Sequence, residues 1–491
     1  MEETPRKLPS PLLSLIPLLV LVVLLFFTIR IFGSDALGGG SQVVLLTTTA
    51  VCSFLAIVFG KVKWRAIEEA ICNNILGVSV ALIILLLIGA LAGSWMISGV
   101  VPTLIYYGMQ IIHPNFFLVS CCIICAIVSV MTGSSWTTIA TIGIALMGIG
   151  EAQGFSTGWT AGAIISGAYF GDKISPLSDT TILASSVTGT PLFTHIRYLM
   201  YTTLPSIFIS LVIFTIAGFT HEGTGMEQIT SYAASLKEHF HISGGLLVVP
   251  LITGILIVRR VPSIITLFLS AALAGLLAVL FQPHLLQEIS RMAEAGGESL
   301  FRGLFITFFG NTQIEMGNAE LNELVSTRGM AGMMDTIWLI LCAMCFGGAM
   351  TASGMLESIL SVFTRFMHRR VNMVSSTVAS GLLLNICTAD QYISILLTGN
   401  MFKDIYKKNG YESCLLSRTT EDAVTVTSVL VPWNTCGMTQ ATVLGVATMT
   451  YLPYCFFNLI SPVMSILIAL MGYKIKGPIV PQEETQTESL S

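Results

Sequence analysis

Between Gly171 and Thr181 the chain reads GDKISPLSDTT, so Asp172, Lys173 and Asp179 gather around Pro176 inside a stretch otherwise apolar from Thr160 to Val187. A carboxylate at the bilayer centre costs roughly 2.5 to 3.5 kcal/mol on insertion scales, so such residues sit in protein interiors or water-filled cavities and serve transport or proton relay. Pro176 lacks a backbone N–H and blocks helix continuation, which leaves carbonyls free to face a cavity. Acids on a broken helix predict an ion site of the kind secondary transporters build. A packing pair between Asp172 and Lys173 is the weaker explanation, because adjacent helical residues do not face each other.

Three other segments offer the same chemistry. TGSSWTT supplies Thr132, Ser134, Ser135 and Thr137, and TADQ supplies Thr388, Asp390 and Gln391. RTTEDAVTVTSVLVPWNTCG supplies Glu421 and Asp422, then Thr425, Thr427, Ser428 and Asn434 around Pro432. The expected ion-binding and proton-coupling set is Asp172, Ser175, Asp179, Thr180, Asp390, Glu421, Asp422 and Asn434, supported by the Thr132, Ser134, Ser135 and Thr137 tip. Sodium is expected at Asp172, Asp179 and Asp390. Carboxylates, hydroxyls and freed carbonyls suit a hard cation, whereas an organic anion would favour Arg or helix N-termini. The expected core holds one Lys and no Arg, which favours a cation. Burial raises a carboxyl pKa and a bound cation lowers it, so sodium and protons competing for one site would exchange, with only access changing sides. Glu421 and Asp422 remain open to a second explanation, a helix end where the dipole favours acids.

The elements that must carry these residues follow from composition. Of 491 residues, 54% are hydrophobic and 10% charged, against about 25% charged in soluble domains. An all-α polytopic membrane protein is implied. The net charge of −4 has no basic block, so nucleic acid is not an expected partner. Spans of about 20 apolar residues fall at 11–32, 42–60, 76–100, 157–187, 196–219, 242–258, 261–281, 331–353, 418–439 and 448–473. Two longer apolar stretches, 116–150 and 372–401, are interrupted halfway and read as re-entrant hairpins. Arg6 and Lys7 precede an apolar run too long for a signal peptide. Cys121, Cys122 and Cys125 lack metal spacing and read as small packing residues. The seven histidines, His195 among them, mostly fall in expected loops. No HExxH or GxSxG occurs, so an enzyme is not expected, and no cofactor is implied.

Thr132 and Thr388 lie 256 positions apart, as do Pro176 and Pro432, and Gly93 and Gly99 match Gly348 and Gly354 at an offset of 255. A repeat is therefore expected, and charge predicts that it is inverted. The segments flanking the first hairpin lack Lys and Arg. Those flanking the second carry Arg365, Arg369, Arg370, Lys403, Lys407, Lys408 and Arg418, which the positive-inside rule assigns to the cytoplasm. Both termini then fall inside. The expected organisation is two N-terminal helices in 1–60, a first inverted repeat in 61–219, a connecting loop with two linker helices in 220–288, a second repeat in 289–473, and a disordered cytoplasmic tail in 474–491. Segment 64–75 reads as an interfacial helix with its counterpart at 289–300. The fold class is an inverted-repeat secondary transporter with two re-entrant hairpins and two broken helices, multi-pass in a bacterial cytoplasmic membrane. A homodimer stays open.

GDKISPLSDTTILAS, TGSSWTT, TADQYISILLTGNMF and RTTEDAVTVTSVLVPWNTCG resemble the signature segments of NhaC-type sodium/proton antiporters, a branch of the ion transporter superfamily, in order from Ala66 to Gly472. The resemblance implies an electrochemically driven antiporter exchanging Na+ for H+ with the bilayer as surroundings. It also admits exchangers of malate, lactate and amino acids. Where the family commonly has TGD, this chain has Thr388-Ala389-Asp390, keeping the acid and replacing the glycine. Sodium-coupled movement of an organic solute is the competing transport reading, supported by Trp136, Tyr392 and Trp433 near the breaks. A passive channel is disfavoured because inverted broken elements suit alternating access.

Overall fold

The computed structural model describes residues 8–32, 38–220, 226–259, 261–292, 296–316, 322, 325–365, 367 and 369–475. Among them all regular elements are helical, apart from one isolated bridge between Thr312 and Thr327. Eight helices are long and apolar enough to cross a membrane, or up to ten if each of two bent pairs is one span. The expected disorder of 476–491 lies outside the described residues, as do Arg6 and Lys7 before the first apolar run.

The polar interruptions break helices where the sequence places them. Phe117–Thr132 ends at Gly133, whose φ of +66° turns the chain, and helix resumes at Ser135–Thr138 through a π-turn, Ile139–Gly143. Arg370–Thr388 ends the same way at Ala389, with φ +57°, before Gln391–Lys408. Thr157–Ile174 gives way to extended Ser175 and a turn at Pro176 and Leu177 before Asp179–Thr188. The fourth break is longer, running from Ser413–Thr420 through a π-turn at Glu421–Thr425 and a 3-10 turn at Ser428–Leu430 to Thr435–Leu444.

Phe117–Thr132 packs along Thr157–Ile174 over most of its length. The approach is close because Gly167 and Gly171 lack side chains, and a Cβ on either would strike the backbone at Cys122 or Ala126. Cys121, Cys122 and Cys125 are fully buried at this crossing as free thiols, the packing role their spacing suggests.

Several expectations are corrected. Residues 64–75 are not a separate surface helix: Trp64–Ile97 is continuous, since nothing between Ile75 and Gly77 interrupts hydrogen bonding. Its expected counterpart divides between Pro283–Ser290 and Gly297–Phe309. The connector carries four helices, Met226–His239, Val248–Val258, Ser263–Phe281 and Pro283–Ser290, rather than two. His195 lies inside the helix Leu192–Thr220, fully buried, with Nδ1 2.8 Å from the Ser417 hydroxyl. Arg418 is not a surface charge but is fully buried.

Candidate functional site

The two tips are built by one hydrogen-bond pattern. In the first, the Thr132 hydroxyl donates to the Ser134 carbonyl, accepts from the Ser134 N–H and meets the Thr138 hydroxyl at 3.2 Å. In the second, Thr388 does the same with Asp390 and Ser394, at 2.7 Å for the last. The residue after the turn caps the new helix in both: Ser134 accepts from Thr137 N–H at 3.2 Å, and Asp390 accepts from Ile393 N–H at 2.9 Å. These pairs keep the 256-residue offset seen in the sequence.

Each tip is tied to a break. Asp172 accepts the Ser135 N–H at 3.1 Å and hydroxyl at 2.7 Å, and its other oxygen accepts the Ser178 hydroxyl at 2.6 Å. Ser178 also meets Thr180 at 2.9 Å. At the second tip the Thr435 hydroxyl donates to Asp390 at 3.1 Å, and the Thr435 N–H donates to the Ala389 carbonyl at 2.8 Å.

Between the tips lies an open cavity of about 690 Å³. Thr132, Ser134, Trp136 and Thr137 line it from the first tip, Asp172, Ser178, Asp179 and Thr180 from the first break, and Asp390, Gln391, Tyr392 and Thr435 from the second tip and break. Apolar residues of Trp64–Ile97 and the segment 261–266 complete the wall. Asp172 and Asp390 are buried at 6% and 2% exposure, while Asp179 is exposed. The three acids share this chamber, but no group of three or more His, Cys, Asp or Glu close enough to hold one metal ion occurs among the described residues.

Other expected residues stand elsewhere. Ser175 donates to the Val130 carbonyl at 2.8 Å and Asn434 donates to the Asn385 carbonyl at 3.1 Å, so both brace the breaks. Glu421 and Asp422 do not line the chamber. Asp422 forms a buried ion pair with Lys173 and accepts from Thr202 at 3.1 Å and Ser461 at 3.2 Å. Lys173 thus turns away from Asp172 and joins two distant parts of the chain, with Ser461 at 2.9 Å and the Phe457 ring 5.5 Å from its nitrogen. Arg418 stacks over Tyr198 at 4.8 Å and stands 3.9 Å from Asp422, beyond hydrogen-bond distance. The core therefore holds both a Lys and an Arg. Thr435 carried a readable signal, a hydroxyl beside the PWN break. Thr202 and Ser461 carried none, being single hydroxyls in apolar helices.

The spanning helices and the polar chamber enclosed among their breaks define a polytopic membrane transporter. Residues 2–186 and 167–473 match the Na+/H+ antiporter family, and the chain belongs to it. It is 38% identical over 426 residues to the Na(+)/H(+) antiporter NhaC of Alkalihalophilus pseudofirmus, covering 86% of this chain and 89% of that one. It is 33% identical to the Na(+)/H(+) antiporter NhaC of Bacillus subtilis, over 88% and 92% of the two chains. It is also 35% identical to the Malate-2H(+)/Na(+)-lactate antiporter of Bacillus subtilis, over 88% and 89%.

Proposed function

We propose that this protein is a secondary antiporter, not an enzyme, exchanging sodium ions for protons across the membrane by alternating access. The observation that carries the reading is the presentation of Asp172 and Asp390 into one chamber by two matching tip-and-break units. Hydroxyls of Ser134, Thr137, Ser178, Thr180 and Thr435 surround these acids, which is ligand chemistry suited to a hard cation. The names of two relatives agree. A sodium ion entering the chamber would meet Asp172 and Asp390 first as charge and then as ligands once their present donors give way.

We further propose that the units in 61–219 and 289–473 are inverted repeats with both tips re-entrant and both termini cytoplasmic. Arg365, Arg369, Arg370, Lys403, Lys407 and Lys408 flank the second tip's helices and their counterparts carry no basic residue, which supports opposite orientation.

One observation favours a second reading. A volume of about 690 Å³ exceeds what an ion needs and falls in the range of small-molecule sites, and one relative's name includes malate and lactate. Proteoliposomes with an imposed pH gradient separate the two. Sodium-dependent proton flux without organic solute supports ion exchange, whereas flux that appears only when malate or lactate is added overturns it.

A further inference from the structure

Among the described residues four acids are buried in the core, and of these only Glu421 lacks a hydrogen-bond partner on both oxygens, Asp422 lacking one on Oδ2 alone. Asp172 has three donors, Asp390 two, and Asp422 has Lys173, Thr202 and Ser461. Glu421 is fully buried and neither carboxylate oxygen meets hydrogen-bond geometry with a protein group, though Thr425 lies within reach. Three residues before it, fully buried Arg418 likewise has no hydrogen-bond partner for any of its three nitrogens. The core thus contains one carboxyl without a donor, while the Arg418 guanidinium faces the free oxygen of Asp422 at 3.9 Å rather than Glu421.

We infer that the exchanged proton is carried by Glu421, in a second buried centre beside the sodium chamber, with Lys173 as the cation in range of the carboxylate once the proton has left. The inference rests on the exchange reading above and assigns its proton. A buried carboxylate without donors costs several kcal/mol, and either a proton or a paired cation removes that cost. Lys173, the cation in electrostatic range of Glu421, is already paired with Asp422, so a proton is the partner left to Glu421. When the proton passes from its carboxyl to water, the charge left behind stands in the field of Lys173, which Asp422 shares.

Placement supplies the coupling. Asp172 and Lys173, from Thr157–Ile174, both lie within electrostatic range of Glu421, as does Asp422 in its own turn. Sodium arriving at Asp172 adds a positive charge near the Glu421 carboxyl and favours release of its proton, with no ligand shared between the two ions. The remaining ionisable groups around the centre are His195, in range of Lys173, and Tyr198 and Tyr406, in range of Arg418. Asp179 begins the helix Asp179–Thr188, which packs on the π-turn, and Tyr392 lies at the chamber end of Gln391–Lys408. The helices Arg370–Thr388 and Phe456–Met471 meet this region with Asn385, bonded to the Val424 carbonyl, and Asn458, bonded to the Val426 carbonyl. Glu421 also opens the π-turn Glu421–Thr425, a distortion found frequently at functional sites.

Calorimetric sodium binding to the purified full-length protein, in buffers of different ionisation enthalpy, tests the assignment. The wild type is expected to release protons as sodium binds. E421Q is expected to bind sodium within about threefold of wild type at high pH, to release none, and to lose the tenfold change in apparent affinity per pH unit that one displaced proton produces. Proton release undiminished in E421Q overturns the assignment while leaving the exchange reading intact. No sodium binding by the wild type overturns both. If E421Q does not fold, E421D decides: sodium-induced infrared difference spectra of the wild type should lose a protonated-carboxyl band, E421D should shift that band, and an unshifted band overturns the assignment.

Discussion

The two tips share their backbone devices and differ in where they put the acid. At the first, neutral Ser134 caps the new helix and the carboxylate, Asp172, comes from the facing break. At the second, Asp390 is itself the cap, and the position equivalent to Asp172 is Ser428, whose hydroxyl donates to the Thr425 carbonyl at 2.8 Å. The same hydrogen-bond devices thus fix where the backbone breaks at both tips, while the charges are distributed independently over them. Each unit contributes one buried acid to the chamber, reached by opposite routes.

Removing charge from the two acids should have the largest effect and should show whether they are equivalent. D172N is expected to reduce sodium-dependent proton flux in proteoliposomes at least ~100-fold, because the charge is lost and an amide that keeps its oxygen on Ser135 turns an NH2, which cannot accept, toward the Ser178 hydroxyl. D390N should reduce flux similarly while melting like the wild type, since Asn caps a helix as well as Asp. S134A removes a cap and no charge. It should cost about 1 kcal/mol of stability and leave most of the flux, so a flux loss equal to that of D390N would break the contrast between the tips.

The turn residues sharpen the comparison in the opposite direction. Gly133 and Ala389 share the left-handed conformation, but a Cβ on Gly133 would strike the Leu177 backbone. G133A should therefore be strongly destabilising in thermal melts. A389G should be neutral or stabilising by up to ~1 kcal/mol, because relief of left-handed strain outweighs the added chain entropy. Destabilisation by A389G would show that the alanine methyl packs for a purpose.

The buried ion pair gives a comparison across the units. K173M leaves Asp422 uncompensated and should cost about 3 to 5 kcal/mol, whereas K173M/D422N should recover much of that loss. A smaller effect is expected from surface labelling in a cysteine-free background. S156C should react with an impermeant thiol reagent from outside and N409C should not, and equal labelling from one face would defeat the inverted arrangement.

Much of this was legible in the sequence because breaks announce themselves. Gly133, Pro176, Pro432 and the runs of hydroxyls around them interrupt apolar helices at positions no core needs. The acids Asp172, Asp179 and Asp390 follow as chamber residues. Partnership was not legible. Glu421 and Asp422 are neighbours with the same chemistry, yet one is matched by Lys173, 249 positions away, and the other by nothing within hydrogen-bond geometry. Arg418 reads as a surface charge because it sits near Lys403, Lys407 and Lys408 in sequence, and it is buried because Ser413–Thr420 packs among Asp179–Thr188, Leu192–Thr220, Arg370–Thr388 and Gln391–Lys408. The continuity of Trp64–Ile97 was hidden for a related reason: charged residues at its start resemble an interfacial segment, though a helix of 34 residues can both emerge from and cross a bilayer.

The central claim is that the chamber acids hold the transported sodium at the expense of a proton. Sodium binding measured by calorimetry on purified wild type, D172N and D390N across a series of pH values tests it most directly. The wild type should bind with an apparent affinity that falls about tenfold for each pH unit below the controlling pKa, about 1.4 kcal/mol per displaced proton, and that levels off above it. D172N and D390N should show no saturable binding at any of these pH values. Sodium binding of wild-type affinity in both variants would contradict the account.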